Sequence, residues 1–257
     1  MPQSEFVLVD ISNSFTKVAF SSRNRLGRIL RLPTADLTPA SLRKILGASR
    51  ARHAVAASVV PDKNAVLEAV LPGPICWVGH QTPLGIGIRY PQPQTIGADR
   101  LANAVAAKIL HGTPAIVVDF GTAVTFDVIA RDGDYIGGVI APGLGVMSEY
   151  LHRRTALLPL MELTHPPGAV GKSTHQAMLS GAVFGYRGLV KEILLQIRRE
   201  QFPRAKVRVV ATGGDAKLIG AGVPIFDAIA PQLTLEGLRL IGNRNFPEPP
   251  RKPRIQR

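Results

Sequence analysis

The chain has 257 residues, with 31 Lys+Arg against 18 Asp+Glu for a formal charge of +13; this length suits two domains or one duplicated unit. At 46% hydrophobic and 19% charged it carries the material for a core, which excludes disorder of the whole chain. Its one cysteine, Cys76, excludes an internal disulfide framework, and the six histidines do not cluster with it at metal-ligand spacing. No apolar run approaches the ~18 residues of a bilayer-spanning helix, and the first ten residues are too polar and short for a signal peptide. A cytoplasmic protein with no membrane partner is expected.

The basic balance invites a nucleic-acid reading, but part of it lies in residues 244–257. There Arg244, Arg251, Lys252, Arg254 and Arg257 alternate with Pro247, Pro249, Pro250 and Pro253 and face only Glu248. Such a stretch has little to pack, so a disordered tail is expected. Aromatic residues make up 5% of the chain, too few for an interleaved base-stacking platform. No nucleic-acid partner is expected.

Phe6–Val9 reads as a buried strand, and Thr16–Phe20 resumes it after a polar turn at Ile11–Phe15, giving a hairpin. Leu37–Leu46 has helical spacing. Ala54–Val60 is a buried strand ended by Pro61, and Asp62–Val70 a short helix stopped at Leu71–Pro74. Gly85–Thr95, with Pro91 and Pro93, is an extended loop rather than a central strand. Asp99–Leu110 places small apolar residues at helical intervals. Ala115–Val118 and Val124–Ala130 then flank a turn at Asp119–Thr122, and Tyr135–Ile140 makes a third strand. Helices are expected at Gly145–Leu157, Thr174–Glu200 and Leu233–Leu240, with a strand at Val207–Ala211. The opening Val7-Leu8-Val9-Asp10 parallels Ile116-Val117-Val118-Asp119. Two aspartate-bearing turns at corresponding places predict a duplicated α/β domain with a cleft between the halves. The lobes are expected at residues 1–112 and 113–243.

Three turns suit an anionic ligand. Asp10-Ile11-Ser12-Asn13-Ser14-Phe15-Thr16-Lys17 offers backbone N–H groups, short polar side chains and a lysine. An aspartate beside a phosphate requires a cation between them, directly or through water. Asp119-Phe120-Gly121-Thr122-Ala123 repeats that logic, and Gly213-Gly214-Asp215 adds a backbone-rich loop where a planar adenine can approach. The first alone is better read as an ordinary hairpin turn, and the third has a plain strand-to-helix reading; together they describe a nucleotide site. Gly171-Lys172-Ser173-Thr174 ends like a Walker A loop, but the required earlier glycine is Pro166 and no strand precedes it. It reads as a helix entrance capped by Ser173 or Thr174, with Lys172 solvated. Cys76 reads as a small buried residue, and His111, His152, His165 and His175 fall on different elements.

These motifs, in this order, resemble the type III pantothenate kinases, within the superfamily of acetate and sugar kinases, heat-shock chaperones and actin. Asp10–Lys17 resembles the family's first phosphate motif, Ala57-Ser58-Val59-Val60-Pro61 its strand end, and Gly97-Ala98-Asp99-Arg100 its substrate motif. Asp119–Ala123 is similar to its second phosphate motif. Gly137–Gly143, Thr212–Asp215 and Leu233–Leu238 follow in the family's order, so the likeness spans Phe6 to about Asn245. It implies duplicated actin-like (ribonuclease H-like) domains with a nucleotide cleft between them, and ATP-dependent phosphorylation of the pantothenate 4′-hydroxyl, the first step toward coenzyme A.

The resemblance also implies roles for individual residues. Asp99 would be the proton acceptor. Tyr90, Gly97, Ala98, Asp99, Arg100 and Thr174 would bind pantothenate. Asp10, Ile11, Ser12, Asn13, Ser14, Phe15, Thr16, Lys17 and Thr122 would bind ATP. Asp119 would hold a monovalent cation, K+ or NH4+, and Asp10 would serve Mg2+. A homodimer is implied as well. The family's first turn carries glycine where this chain has Ser12; if that position needs positive φ, serine costs ~1–2 kcal/mol. The alternative is a non-catalytic nucleotide-binding accessory protein of the same fold, for which Ser12 would be the sign.

Overall fold

A computed structural model of the protein describes residues 4–47, 51–71 and 73–248. In chain order the elements are β1 (Phe6–Ile11), β2 (Phe15–Ser21), β3 (Leu26–Pro33), α1 (Pro39–Leu46), β4 (His53–Ser58), α2 (Asn64–Glu68), β5 (Ile75–Trp77), α3 (Ala98–His111), β6 (Ala115–Phe120), β7 (Ala123–Ile129), β8 (Tyr135–Pro142), α4 (Leu144–Arg154), α5 (Thr174–Gln201), β9 (Arg208–Gly213), α6 (Ala216–Gly220), β10 (Ala228–Ile229) and α7 (Leu233–Asn245). The described residues within 1–85, 96–105 and 234–257 form one compact unit; Ile86–Thr95 with Ala106–Leu233 form the other.

The first unit is built on a five-stranded sheet in the order β3-β2-β1-β4-β5. β1 runs antiparallel to β2 and parallel to β4. With helices packed on both faces, all six residues of β1 are buried, which is why it reads as a nearly unbroken apolar run. Val7, Val9 and Ile11 pack with Leu42 of α1 and Leu67 of α2. α1 starts at a reciprocal cap: Thr38 Oγ1 accepts from Ser41 N at 3.1 Å, and Thr38 N donates to Ser41 Oγ at 2.9 Å, with Pro39 at the first helical position.

The second unit repeats this plan in the order β10-β9-β6-β7-β8. β6 is antiparallel to β7 and parallel to β9, so β1 to β5 correspond to β6 to β10 strand for strand. Asp10 and Asp119 are each the fifth residue of a six-residue strand. The expected duplication of an α/β unit is present. The core of the second unit packs Ile116, Val118, Phe126 and Val209 against Val183, Tyr186, Val190 and Leu194 of α5. Arg187 is buried there, and its guanidinium donates to the carbonyls of Leu218, Ile219 and Ala221 at 2.8–3.0 Å. A cation set on the last carbonyls of α6 suits the negative end of a helix.

Several boundaries differ from expectation. β3 and β5 were not anticipated: β3 interleaves Arg28 and Arg31 with its apolar residues at a sheet edge, and β5 has three residues. The first turn narrows to Ser12–Ser14, since Ile11 and Phe15 are strand residues. α7 runs to Asn245, so helix occupies the first residues of the expected 244–257 tail; residues 249–257 of that tail lie outside the described residues. Lobes contiguous at 1–112 and 113–243 are not how the units divide. α7 packs with the first unit, where Thr234 Oγ1 donates to Asn103 Oδ1 at 2.9 Å. Gly242 comes so near β1 and β4 that a Cβ would lie 3.0 Å from Val55 Cγ2 and 3.2 Å from Phe6 Cε1. No helix among the described residues is long and apolar enough to cross a membrane.

Candidate active site

Within the first unit, the sheet gathers three of the sequence motifs at one end. Asp10 on β1 is buried and pairs in register with Lys17 on β2. Lys17 Nζ stands 3.7 Å from Asp10 Oδ2, and Ser12 Oγ donates to Asp10 Oδ1 at 3.1 Å. The turn is braced from behind: Thr34 Oγ1 donates to Ser12 O at 2.6 Å, and Thr34 N donates to Ser14 O at 3.0 Å. Thr16 Oγ1 lies 3.1 Å from Thr34 Oγ1, and the Arg31 guanidinium sits 3.4 Å above the Phe15 ring. Asn13 and Ser14 are exposed. Among the described residues, no residue other than glycine has positive φ. Ser12 therefore carries no left-handed strain, and the conditional penalty expected from sequence does not arise.

The end of β4 joins this turn, where Val59 N donates to Ile11 O at 3.0 Å. Val59 in turn faces Gly97, ahead of α3. A Cβ on Gly97 would lie 2.5 Å from Asp99 Oδ1, so glycine leaves the space this carboxylate occupies. Asp99 stands in the first turn of α3, and Arg100 N donates to its Oδ1 at 2.9 Å. Burial pushes the Asp99 carboxyl above its ordinary pKa, opposed by that N–H bond and by the charges of Arg100 and Lys17. Lys17 thus acts on both Asp10 and Asp99. Ala98 beside them is buried.

Within the second unit, three glycine-bearing loops meet at the corresponding end of the sheet. Gly121 N donates to Ala123 O, Gly143 N to Thr122 O and Gly214 N to Phe120 O, each at 2.9–3.0 Å. Gly213 has φ +88°, and a Cβ there would overlap the Phe120 backbone; no other residue type fits that approach. Asp119 is half-buried and Thr122 exposed. The half-buried Asp215 has its pKa raised by burial. Burial, then the Asp215 charge, raises the Tyr186 phenol, whose hydroxyl donates to Pro142 O at 3.0 Å.

Tyr90 and Thr174 both belong to the second unit, and Tyr90 is not brought together with these loops. The Tyr90 ring lies over Gly137, which pairs with Val128 in the β7–β8 ladder, whereas Thr122 adjoins the Ala123–Pro142 end. The two ends are five residue steps apart along the strand, roughly 17 Å. Thr174 is exposed at the start of α5, and no described hydrogen bond or ring contact joins it to Tyr90. Ser173 is the cap, its Oγ accepting from Gln176 N at 3.2 Å. Gly171 lies against the Gln176–Ala177 backbone, which accounts for the Gly-Lys-Ser-Thr sequence without a phosphate. Cys76 is half-buried, not buried, and burial raises its thiol, so it has no thiolate character.

Sequence reasoning missed two polar groups. Thr34 follows a strand that was not anticipated, so nothing marked it as the brace of the first turn. Asp127, fully buried on β7, accepts from Tyr135 Oη at 3.3 Å; an acid in an apolar run was the signal for it.

Chemically, the two aspartate-bearing turns offer carboxylate oxygens beside backbone N–H groups, which suits phosphates accompanied by a cation. Among the described residues no cluster of three His, Cys, Asp or Glu could hold a metal. Asp10 is a single hard-oxygen donor, which fits a magnesium-type ion completed by phosphate oxygens and water, and Asp119 supplies a second carboxylate suited to a cation. Asp99 is a poised carboxylate able to accept a proton.

The chain is similar to known proteins over most of its length. A family model described as type III pantothenate kinase matches residues 6–196. The chain is 44% identical to the type III pantothenate kinase of Methylacidiphilum infernorum, over 92% of this chain and 87% of that one. It is 48% identical to that of Akkermansia muciniphila, over 94% and 99%. Among solved structures, a candidate 2-dehydro-3-deoxygalactonokinase from Sinorhizobium meliloti superposes with a TM-score of 0.61 at 13% identity, covering 95% of this chain and 100% of that one. That last likeness is one of fold alone.

Proposed function

The chain belongs to the type III pantothenate kinase family, and we propose that it transfers the terminal phosphoryl group of ATP to the 4′-hydroxyl of pantothenate, the first step toward coenzyme A. In that step a bond forms between the hydroxyl oxygen and the γ-phosphorus, and the bond to the β,γ-bridging oxygen breaks to release ADP. The hydroxyl proton goes to Asp99. The observation that carries this reading is the Asp99 carboxylate, set against Gly97 with its pKa raised by burial. A raised pKa makes a stronger proton acceptor.

The remaining residues bind and orient. The Asn13 and Ser14 side chains on the first turn and the Thr122 hydroxyl on the second, all exposed, suit phosphate oxygens, and Lys17 adds a positive charge. Positioning and charge neutralisation supply most of the catalysis in phosphoryl transfer. Arg100 suits the pantothenate carboxylate, with Tyr90, Ala98 and Thr174 as further contacts. ATP and a divalent ion go with kinases of this family; Mg2+ beside Asp10 would neutralise charge building on the phosphates. Asp119 would hold K+ or NH4+. The absence of strain at Ser12 removes the one feature that favoured a non-catalytic accessory protein.

The homodimer implied by the family is supported by an apolar face. Val146, Met147, Tyr150 and Leu151 of α4 are exposed on one side of the helix, and Leu157 beyond it is 90% exposed. Contiguous apolar surface of this kind marks an interface. Light scattering at micromolar concentration is expected to give twice the chain mass. The reaction itself is tested by 31P NMR of the product, which should show one new phosphomonoester whose formation requires both ATP and pantothenate; a free inorganic phosphate signal alone would contradict it.

A further inference from the structure

In the segment that carries Tyr90, Gly87 N donates to Asp134 Oδ1 at 3.0 Å. Tyr135 N donates to Gly87 O, and Arg89 N to Tyr135 O, each at 2.9 Å. Gly87 is the residue type this approach requires, since a Cβ would lie 2.7 Å from Asp134 Cγ. Residues 87–89 are thereby laid along the turn of the β7–β8 hairpin as a short parallel bridge.

The Arg89 side chain then closes over the same turn. Its Nη2 donates to both carboxylate oxygens of Asp132, at 2.9 and 3.1 Å, and its Nε stands 3.4 Å from Asp134 Oδ2. Asp132 Oδ1 also accepts from Asp134 N at 3.2 Å, which holds the two acids in place. Arg89 and Asp132 are 55% and 56% exposed, so these pairs add little to overall stability. Their geometric effect falls on the next residue. The Tyr90 ring stands edge-on to Tyr135, centroids 6.3 Å apart at 67°. Tyr135 is fully buried, with its hydroxyl on Asp127. On the same side Gly137, at φ +131°, exposes backbone to the ring, with two ring carbons 3.9 Å from where a Cβ would be.

We propose that Arg89, held by Asp132 and Asp134, is a positioning residue for pantothenate: the ionic clamp fixes where Tyr90 stands on the Tyr135–Gly137 platform and so sets the affinity for that substrate. This rests on the assignment of Tyr90 to the pantothenate site. One guanidinium gripping two carboxylates is a geometry that a bound backbone alone does not need. A ring held before substrate arrives loses less freedom on binding.

The test is steady-state kinetics of the full-length chain carrying Arg89→Ala, the pair Asp132→Asn with Asp134→Asn, all three together, and Tyr90→Ala. The asparagines keep the acceptors for Gly87 N and Asp134 N while removing the charge. The expected result is a ~3–10-fold rise in KM for pantothenate in the first two variants, the size of a small surface ion-pair network. KM for ATP and kcat should stay within about twofold, and the triple variant should be no worse than either. A rise with Tyr90→Ala but none with the clamp variants would overturn the clamp. No rise with Tyr90→Ala would overturn the assignment of Tyr90 and the clamp's role with it. Equal loss in kcat and both KM values would mean a general structural role and would also overturn the proposal.

Discussion

The Ser12 hydroxyl donates to Asp10 Oδ1 over 3.1 Å, and it does so from a backbone without positive φ. Where the resemblance implies glycine, this chain has a residue that is integrated with the buried acid beside the turn. Ser12→Gly therefore relieves nothing. It removes a hydrogen bond to a charged group, worth about 1.5 kcal/mol at the low end, and loosens the loop. The KM for ATP is expected to rise about three- to tenfold with little change in kcat. A fall in that KM, measured by varying ATP at saturating pantothenate, would show that serine crowds the phosphate.

Asp99→Asn is expected to lower kcat by ~10²–10⁴, the usual worth of a positioned acid–base group. Because burial raises the Asp99 pKa, wild-type kcat should fall as the pH drops through a value above the ordinary aspartate range. Stability should move the opposite way. A raised folded pKa means that the ionised form is the costly one. Its penalty is absent below the unfolded pKa and complete above the folded pKa. Asp99→Asn should then melt above wild type at neutral pH, and the difference should vanish in acid. Melting curves at pH 7 and pH 3.5 check the sign.

Gly97→Ala tests whether the position of Asp99 matters as much as its presence. The added methyl would stand 2.5 Å from Asp99 Oδ1, so the carboxylate must swing away. A displacement of about 1 Å at the reacting group costs on the order of 10² in rate. Turnover should fall about that far with an unchanged circular dichroism spectrum; a rate near wild type would mean the carboxylate has room to spare.

The duplicated α/β plan was legible because Asp10 and Asp119 each stand one residue before the end of an apolar strand that is covered on both faces, leaving a continuous hydrophobic signature. β3 was not, since an edge strand with Arg28 and Arg31 is patterned like a loop, and Thr34 was lost with it. The Gly97–Arg100 motif, which carries the resemblance to the family's substrate motif, was visible as four adjacent residues. The reason for Gly97 was not, because it lies in the direction of the Asp99 carboxylate. The packing of α7 with the first unit was also hidden: nothing local in Thr234 or Gly242 points to partners more than a hundred residues away.

Asp119 and Lys172 separate two views of where cations act. Asp119→Asn is expected to abolish any stimulation by K+ or NH4+, so that its rate in sodium buffer equals its rate in potassium buffer, while wild type is activated by potassium. Lys172→Ala, at the cap of α5 rather than in a phosphate loop, should keep kcat within about twofold. Ser173→Ala should cost ~1 kcal/mol of stability as a lost helix cap, read by urea denaturation, with catalysis intact.

The most direct measurement is steady-state ADP formation from magnesium-ATP in potassium buffer, with and without pantothenate. ADP should appear only when pantothenate is present, in one-to-one ratio with a product heavier by one phosphoryl group, and Asp99→Asn should suppress both together. ADP released at the same rate without pantothenate, or no ADP under either condition, would contradict the assignment of this chain as a pantothenate kinase.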